Sequence, residues 1–287
     1  MTENTIIYQN ASIFYRSIGV GKPVVLIHGF AEDGEIWNNQ VDFLKDHFRM
    51  IIPDLPGSGQ SELVPNASIE TYAEIVKLII EVELQKSVVP ETAETNLTAK
   101  NPVTSNWETG GLVTIIGHSM GGYITLAFAE KYPQYLRSFG LFHSTAFADT
   151  EEKKQVRLKA IGFINDNGAN AFLKTSIPGL FTKAFAEKFP EKINGLVEKG
   201  KSFTAAALVQ YYYAMIERPD RTMVLRDTRL PILYIIGEFD TAIPLQSSLQ
   251  QCYIPAESHV YILNQSAHMG MWEEPDKSNQ ALYTFLL

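Results

Sequence analysis

Short apolar runs alternate along the chain with longer segments in which apolar residues recur at helical spacing. The runs span residues 24–27, 50–52, 113–116, 139–142, 232–236 and 260–263. They are rich in β-branched residues and nearly free of polar ones, which is typical of strands buried on both faces. Their alternation with helices predicts an α/β fold with a mostly parallel sheet.

Further patterns outside these runs predict three more features of the fold. Residues 5–9 and 11–18 predict an opening antiparallel pair of strands that turns near Asn10. Residues 69–86 predict an amphipathic helix, and a last helix is expected from about Pro275 to Leu287.

Residues 87–109 interrupt the alternation. They contain two prolines, several Thr and Asn residues and few apolar ones. Such a composition favours a flexible surface loop inserted before a core strand.

Residues 145–229 form the second interruption, between two predicted core strands. The segment is too long for a simple crossover and carries helical patterns, so it predicts a helical cap on a core domain of residues 1–144 and 230–287. Aromatic and aliphatic residues suited to a lid are scattered through it: Phe163, Phe172, Ile177, Leu180, Phe181, Phe185, Phe203, Tyr211, Tyr212 and Tyr213.

Composition narrows the possible partners. The 287 residues are 45% hydrophobic and 20% charged, with a net charge of −8, which disfavours binding to nucleic acid. No apolar run is long enough to cross a membrane, and the N-terminus lacks a signal-peptide pattern, so a cytoplasmic protein is expected. The single cysteine, Cys252, excludes an intramolecular disulfide and favours a small buried side chain over a catalytic thiol.

The strongest chemical signal is the hexapeptide Gly-His-Ser-Met-Gly-Gly at residues 117–122. It follows a predicted strand and precedes a helix predicted over residues 123–131, the context of a nucleophile elbow. In such a turn a strained backbone and close glycines project the serine above the sheet edge at a helix N-terminus. Ser119 is therefore the candidate nucleophile. A glycine-rich turn with an incidental serine is the alternative.

A serine nucleophile needs a base and an acid that orients the base. With a nucleophile elbow, the acid and then the histidine follow the serine along the chain. His268 follows Ser119 and lies in a polar loop after the last predicted strand, so it is the expected base. His143 is the competitor, and lining the pocket is its other possible role. His259 starts a strand and is expected at the opposite end of the sheet.

Asp240 follows the strand predicted over residues 232–236 and is the expected acid, since its carboxylate could accept the second imidazole N–H. Glu238 and Asp149 compete for this role, and a turn-forming aspartate is the alternative reading of Asp240.

Two backbone N–H donors must stabilise the oxyanion. Met120 follows the nucleophile and supplies one. Gly29 allows the backbone to bend after an earlier strand, so that the N–H of Phe30 supplies the second. We expect His143, Phe181 and Tyr212 to line the substrate pocket.

With these residues the chain resembles the α/β-hydrolase superfamily, in particular its capped esterase, lactonase and haloperoxidase-like branch. The motifs that carry the resemblance lie at residues 28–30, 54–61, 117–122, 237–240 and 267–268. The resemblance implies an eight-stranded sheet with a helical cap after the sixth strand, and neither a metal nor an organic cofactor. It also implies the same roles for Ser119, Asp240 and His268. A serine at 119 disfavours the branches that use an aspartate nucleophile.

These residues predict a serine hydrolase that cleaves carboxylic esters through an acyl-enzyme, and the aromatic residues of the predicted cap favour small, largely apolar substrates. A lactonase, a perhydrolase or a C–C bond hydrolase with the same triad is an alternative, and a ligand receptor with little turnover is another. The expected partner is a small-molecule substrate, while the oligomeric state is left open.

Overall fold

A computed structural model describes residues 1–86 and 111–287, so the loop predicted over residues 87–109 lies outside the described residues. The described chain contains a sheet of eight strands in the order β1-β2-β4-β3-β5-β6-β7-β8. The strands are β1 (Thr2–Tyr8), β2 (Ala11–Ile18), β3 (Lys22–Ile27), β4 (Phe48–Pro53), β5 (Val113–His118), β6 (Leu136–Phe142), β7 (Ile232–Gly237) and β8 (Ser258–Leu263). β2 pairs antiparallel with β1 and β4, and the remaining pairs are parallel. The predicted α/β fold is confirmed.

Helices cover both faces of this sheet. They are α1 (Asn38–Leu44), α2 (Ile69–Lys86), α3 (Met120–Lys131), α4 (Glu151–Asn167), α5 (Ala169–Ser176), α6 (Lys183–Lys188), α7 (Pro190–Lys199), α8 (Ala205–Glu217), α9 (Thr222–Asp227), α10 (Leu245–Cys252), α11 (Gly270–Glu273) and α12 (Pro275–Leu286). Helices α4 to α9 all lie between β6 and β7, where the sequence predicts a helical cap. Over residues 1–86 and 111–287, no helix combines the length and the apolar character needed to span a bilayer.

The central strands explain why the apolar runs predict the sheet so well. Every residue of β5 and of β7 is buried, because helices cover both faces. β3, β5, β6, β7 and β8 run parallel, so their carboxyl ends meet at one edge of the sheet. The loops that leave these strands therefore converge, and ligands of open α/β sheets bind at such an edge.

Several elements begin earlier than their patterns predict: β3, β4, β6 and β8 start two or three residues before their apolar runs, and β1 and α3 start three residues early. β1 starts at Thr2 instead of residue 5. Its first residues pair with β2 at an exposed edge, and because they are polar the apolar pattern does not reveal them. α3 starts at Met120 instead of residue 123. The weak helix propensity of Gly121 and Gly122 conceals this start in the sequence.

Candidate active site

Ser119 occupies the turn between β5 and α3. Its backbone has φ 51° and ψ −115°, a conformation that L-residues rarely adopt. The Ser119 N–H donates to the Phe142 carbonyl (3.0 Å), and the Ser144 hydroxyl donates to the Ser119 carbonyl (2.7 Å). These bonds to β6 and to the loop after it hold the strained residue in place. The backbone is thus that of a nucleophile elbow.

The loop after β3 lies directly against this turn. A Cβ on Gly29 would stand 3.1 Å from the Cβ of Ser119, and one on Gly121 would stand 2.7 Å from the His28 carbonyl oxygen. Larger side chains at 29 and 121 would therefore separate the elbow from this loop. Within the described residues, the backbone N–H groups of Phe30 and Met120 donate no hydrogen bond, so both remain available for an oxyanion.

His28 has a structural role in the loop after β3. The Leu55 N–H donates to His28 Nε2 (2.9 Å), so the proton of the neutral ring lies on Nδ1, which contacts the Gly29 carbonyl at 2.8 Å. Both ring nitrogens are therefore used to fix the loop that precedes Phe30.

His268 and Asp240 form the second half of the site. His268 Nδ1 lies 2.8 Å from Asp240 Oδ2, and both side chains are almost completely buried. Oδ1 of Asp240 accepts the N–H groups of Ala242 (2.8 Å) and Ile243 (2.9 Å). Because Nδ1 of His268 contacts Asp240, Nε2 is left available as a base, as the serine–histidine–acid arrangement requires.

The ionisation of Asp240 follows from these contacts. Burial alone would raise the pKa of Asp240, but His268 and His143 together hold it well below its usual range. Asp240 is therefore a carboxylate throughout the physiological pH range and can stabilise an imidazolium at His268.

His143 lies behind the acid, in surroundings that differ from the expected pocket wall. Its ring is buried, with Nδ1 at 3.2 Å from Asp240 Oδ2, and the Gly270 N–H donates to Nε2 (3.2 Å). The Gly237 N–H also approaches Nδ1, at 3.1 Å. Burial lowers the pKa of His143 to about 4 despite the nearby carboxylate. The ring is thus neutral near pH 7, and it contacts the acid instead of solvent.

His118, the residue before the candidate nucleophile, was not singled out by the sequence analysis. Its Nδ1 lies 2.9 Å from Glu32 Oε2, and its Nε2 lies 3.0 Å from the His268 carbonyl oxygen. The backbone carbonyl can only accept, so Nε2 donates to it, and an ionised Glu32 also accepts from Nδ1, which makes His118 an imidazolium in this pair. Burial lowers its pKa, but the Glu32 carboxylate outweighs burial and the net shift is upward. Burial would likewise raise the pKa of Glu32, which His118 lowers.

Glu32 extends this ion pair to the loop after β3, which carries the candidate oxyanion donor Phe30 and is called the oxyanion loop below. Its Oε2 also accepts the Gly29 N–H at 2.6 Å. One buried ion pair therefore links the elbow, the loop before Phe30 and the loop of His268. The only sequence signals for it are two polar residues that lie 86 positions apart.

Aromatic side chains from the cap segment cover the site. The Tyr212 ring stacks on the Phe30 ring, with their centroids 4.4 Å apart. Phe181 stacks on Phe185 at 5.3 Å, and the residue before it, Leu180, accepts the His268 N–H at 2.9 Å. Tyr212 therefore packs beside the oxyanion loop, and Phe181 packs beside the loop of the candidate base.

The competing residues lie in other environments. Glu238 is exposed, and Asp149 forms ion pairs with Arg157 and Arg218. His259 is paired with Glu257 on the protein surface.

His143, Asp240 and His268 have ligand atoms within 4.8 Å of one another, which is compatible with a metal site. However, the 2.8 Å contact between His268 and Asp240 is a hydrogen-bond distance. Ligands of a tetrahedral zinc with bonds of 2.0–2.1 Å lie about 3.3 Å apart. We therefore interpret the cluster as a hydrogen-bonded acid with two histidines.

A cavity of about 400 Å³ lies on the far side of the oxyanion loop. Most residues between Ala31 and Asn39 line it, together with residues of α7 and the turn after it and with Trp272, while Ser119 and His268 do not. Lys199 bridges this cavity by pairing with Asp33 (2.7 Å) and Glu35 (2.6 Å). The cavity thus lies between the cap segment and the core beside the candidate site, and none of Ser119, Asp240 and His268 lines it.

The chain matches known proteins along nearly its whole length. A family model described as the alpha/beta hydrolase family matches residues 24–281. A pimeloyl-[acyl-carrier protein] methyl ester esterase of Vibrio vulnificus is 22% identical, over 96% of this chain and 98% of its own length.

Solved structures give the same result. A thermophilic esterase of Thermogutta terrifontis, solved with bound malate, has a TM-score of 0.84 at 26% identity and is covered over 98%, with all of this chain matched. The enol-lactonase of Burkholderia xenovorans has a TM-score of 0.83 at 19% identity, with 99% of both chains covered, and shows the shared fold. Because the family model spans most of the sequence, this chain belongs to the alpha/beta hydrolase family.

Proposed function

We propose that this protein is a serine hydrolase that cleaves small carboxylic esters through an acyl-enzyme, with Ser119 as nucleophile, His268 as base and Asp240 as acid. The observation that carries the proposal is the strained elbow at Ser119, which shares one sheet edge with a buried His268–Asp240 pair. Membership of a hydrolase family and an esterase among the relatives support cleavage of an ester bond.

The first half of the reaction acylates the serine. His268 Nε2 takes the Ser119 proton while the serine oxygen attacks the ester carbonyl carbon. The N–H groups of Phe30 and Met120 stabilise the oxyanion, supported by the N-terminus of α3. His268 then gives its proton to the departing alcohol, and the acyl group remains on the Ser119 oxygen.

The second half releases the acid. His268 removes a proton from water, which attacks the acyl-enzyme, and the same proton returns to Ser119 as the carboxylic acid leaves. Throughout, the Asp240 carboxylate holds the ring through Nδ1 and stabilises its positive charge. The neutral His143 and the backbone bonds from Ala242 and Ile243 keep that carboxylate oriented.

The aromatic residues beside the oxyanion loop favour a substrate with an apolar portion of modest size. Phe30 and Tyr212 are only partly buried, and their stacked rings lie beside the Phe30 N–H. The apolar part of the substrate is proposed to pack against this pair.

A series of p-nitrophenyl esters with increasing acyl length tests the proposal. We expect the wild type to hydrolyse short esters, Ser119→Ala to lose at least about a thousandfold in kcat, and Ser202→Ala, at an exposed serine, to match the wild type. Equal rates for Ser119→Ala and wild type, or no hydrolysis of any ester by the wild type, would overturn it.

A further inference from the structure

Helix α4 carries cations on the face that packs inward. Ile161 and Ile164 are buried on this face, and Lys153 and Arg157 continue the same stripe toward the N-terminus of the helix. Apolar residues are the usual occupants of such a stripe. Arg218, which follows α8, joins them, and we call Lys153, Arg157 and Arg218 the cation cluster.

The cation cluster carries more charge than its protein partners neutralise. Arg157 Nε pairs with Asp149 at 2.5 Å, and Arg218 pairs with the same carboxylate at 2.9 Å. Lys153 Nζ donates to the backbone carbonyl of Ala242 at 2.8 Å. Three cations around one carboxylate leave an excess of positive charge. Because Arg218 is almost fully buried and Arg157 nearly so, that excess is costly unless an anion joins it.

Each cation contacts a different wall of the candidate active site. The Ala242 residue that accepts from Lys153 also donates its N–H to Asp240. The Arg157 guanidinium lies 5.7 Å from the centre of the Tyr212 ring, which in turn stacks on Phe30. The cluster therefore extends from the loop of the acid to the side chain beside the oxyanion loop.

Arg218 connects the cluster to the nucleophile helix. Its guanidinium lies 3.8 Å from the centre of the Tyr123 ring. Tyr123 stands one helical turn after Ser119, and side chains of a helix tilt toward its N-terminus, here toward the nucleophile.

The Tyr123 hydroxyl is a further polar group beside the cation cluster. In the part of the chain that the structure describes it has no hydrogen-bond partner, although the residue is only 2% exposed. Burial alone would raise the pKa of Tyr123, yet the cation cluster lowers it. A phenol in a field of positive charge is a ready donor to an anion.

We propose that the cation cluster, together with the Tyr123 hydroxyl, binds a carboxylate group of the substrate. The preferred substrates are then esters that carry an acid function a few bonds from the scissile carbonyl, such as half-esters of short dicarboxylic acids. This inference rests on the proposed function and deepens it: the stacked aromatic pair holds the apolar chain, and the cations hold its charged end.

Two esters with the same acyl length and leaving group separate the charged end from the chain. These are the mono-p-nitrophenyl ester of glutaric acid and p-nitrophenyl valerate. We expect the wild type to favour the glutarate ester by about 10-fold or more in kcat/KM, the usual worth of hydrogen bonds to a charged group. Lys153→Met and Arg157→Gln should each lose most of this preference, and the loss should lie in KM for the glutarate ester.

Lys159→Met serves as the matched control, because Lys159 is exposed on the same helix. It should keep the wild-type preference. Equal turnover of the two esters by the wild type would overturn the proposal. It would also be overturned if both variants kept the preference, or if both lost activity on the two esters equally, as a purely structural role of the cluster predicts.

Binding of glutarate to Ser119→Ala, measured by calorimetry, reads the subsite without turnover. Binding that Lys153→Met weakens supports the carboxylate subsite even if wild-type ester hydrolysis fails, which would be the failure of the proposed reaction alone. Absence of glutarate binding, with valerate hydrolysis intact, overturns the subsite and leaves the reaction standing.

Discussion

Nε2 of His118 lies 3.0 Å from the backbone carbonyl oxygen of His268, so the residue beside the candidate nucleophile holds the loop of the candidate base. The other ring nitrogen of His118 contacts Glu32, whose carboxylate also accepts the Gly29 N–H. The backbone carbonyl accepts from Nε2, and the ionised Glu32 accepts from Nδ1, so the imidazole carries both protons. A buried ion pair thus joins three loops that carry residues of the proposed reaction.

Removing one member of this pair is expected to destabilise the fold. Glu32→Gln leaves the His118 imidazolium buried without its counter-charge, and such changes cost about 3–5 kcal/mol. Urea unfolding at pH 6 measures the loss, and Glu35→Gln, at a largely exposed carboxylate, is the control. A loss below about 1 kcal/mol would contradict the ion pair.

The contribution of the pair depends on pH in a defined direction. The raised pKa of His118 gives stability that is complete below 6.5 and is lost as pH rises through the folded-state pKa. The lowered pKa of Glu32 gives stability that is present above 4.5 and is lost as pH falls through its folded-state pKa. The effect of Glu32→Gln should therefore be largest between about pH 4.5 and 6.5.

His143 makes the opposite contribution. Its pKa is about 4 in the folded protein and 6.5 in the unfolded chain, so the unfolded state binds more protons between these values. Stability should fall by an amount on the order of 3 kcal/mol as pH drops through this window. His143→Gln should remove that part of the pH dependence in urea titrations at pH 4.5, 5.5 and 6.5. Parallel curves for the variant and wild type would show that His143 is not a buried neutral imidazole.

The stacking of Tyr212 on Phe30 predicts an effect on catalysis. Tyr212→Ala removes a ring that packs at 4.4 Å beside the oxyanion loop, and such pairs contribute about 0.5–1.5 kcal/mol. We expect kcat/KM for a short p-nitrophenyl ester to fall about 2- to 12-fold. Tyr213→Ala should leave it unchanged, because Tyr213 is exposed. Equal effects at the two tyrosines would argue against a role for the stacked pair.

Cys252 is predicted to be chemically inert. Burial raises the pKa of its thiol to about 11, so little thiolate forms near neutral pH. Incubation of the folded protein with iodoacetamide at pH 7.5 should leave ester hydrolysis intact, and Cys252→Ala should retain the wild-type rate. Inactivation by iodoacetamide that Cys252→Ala abolishes would point to the thiol instead of Ser119.

Much of the fold could be predicted because its central strands are buried on both faces. The runs at residues 113–116 and 232–236 lie within β5 and β7, and the elbow motif needs only local sequence. The expected hydrolase acting on an ester bond agrees with the family and its relatives. The triad, the domain boundaries at 144/145 and 229/230 and the cytoplasmic location stay predictions.

Other features depend on contacts between distant residues. The Glu32–His118 pair joins two loops, and neither residue stands in a pattern that announces an ion pair. His143 follows a strand at the correct edge, which fits a pocket residue, yet its positive φ of 48° and tight surroundings direct the ring to Asp240. The cations of α4 have ordinary helical spacing, and only the packing of α4 against α8 shows that they point inward.

The proposed reaction requires Ser119 as the nucleophile, and covalent labelling of its hydroxyl is the decisive measurement. A fluorophosphonate should add once to the wild type, and peptide mass spectrometry should place the adduct on Ser119 as ester hydrolysis is lost in proportion. Ser119→Ala should take no label and hydrolyse no ester. Labelling at another residue that abolishes activity, or undiminished hydrolysis by Ser119→Ala, would contradict the role of Ser119 as the nucleophile.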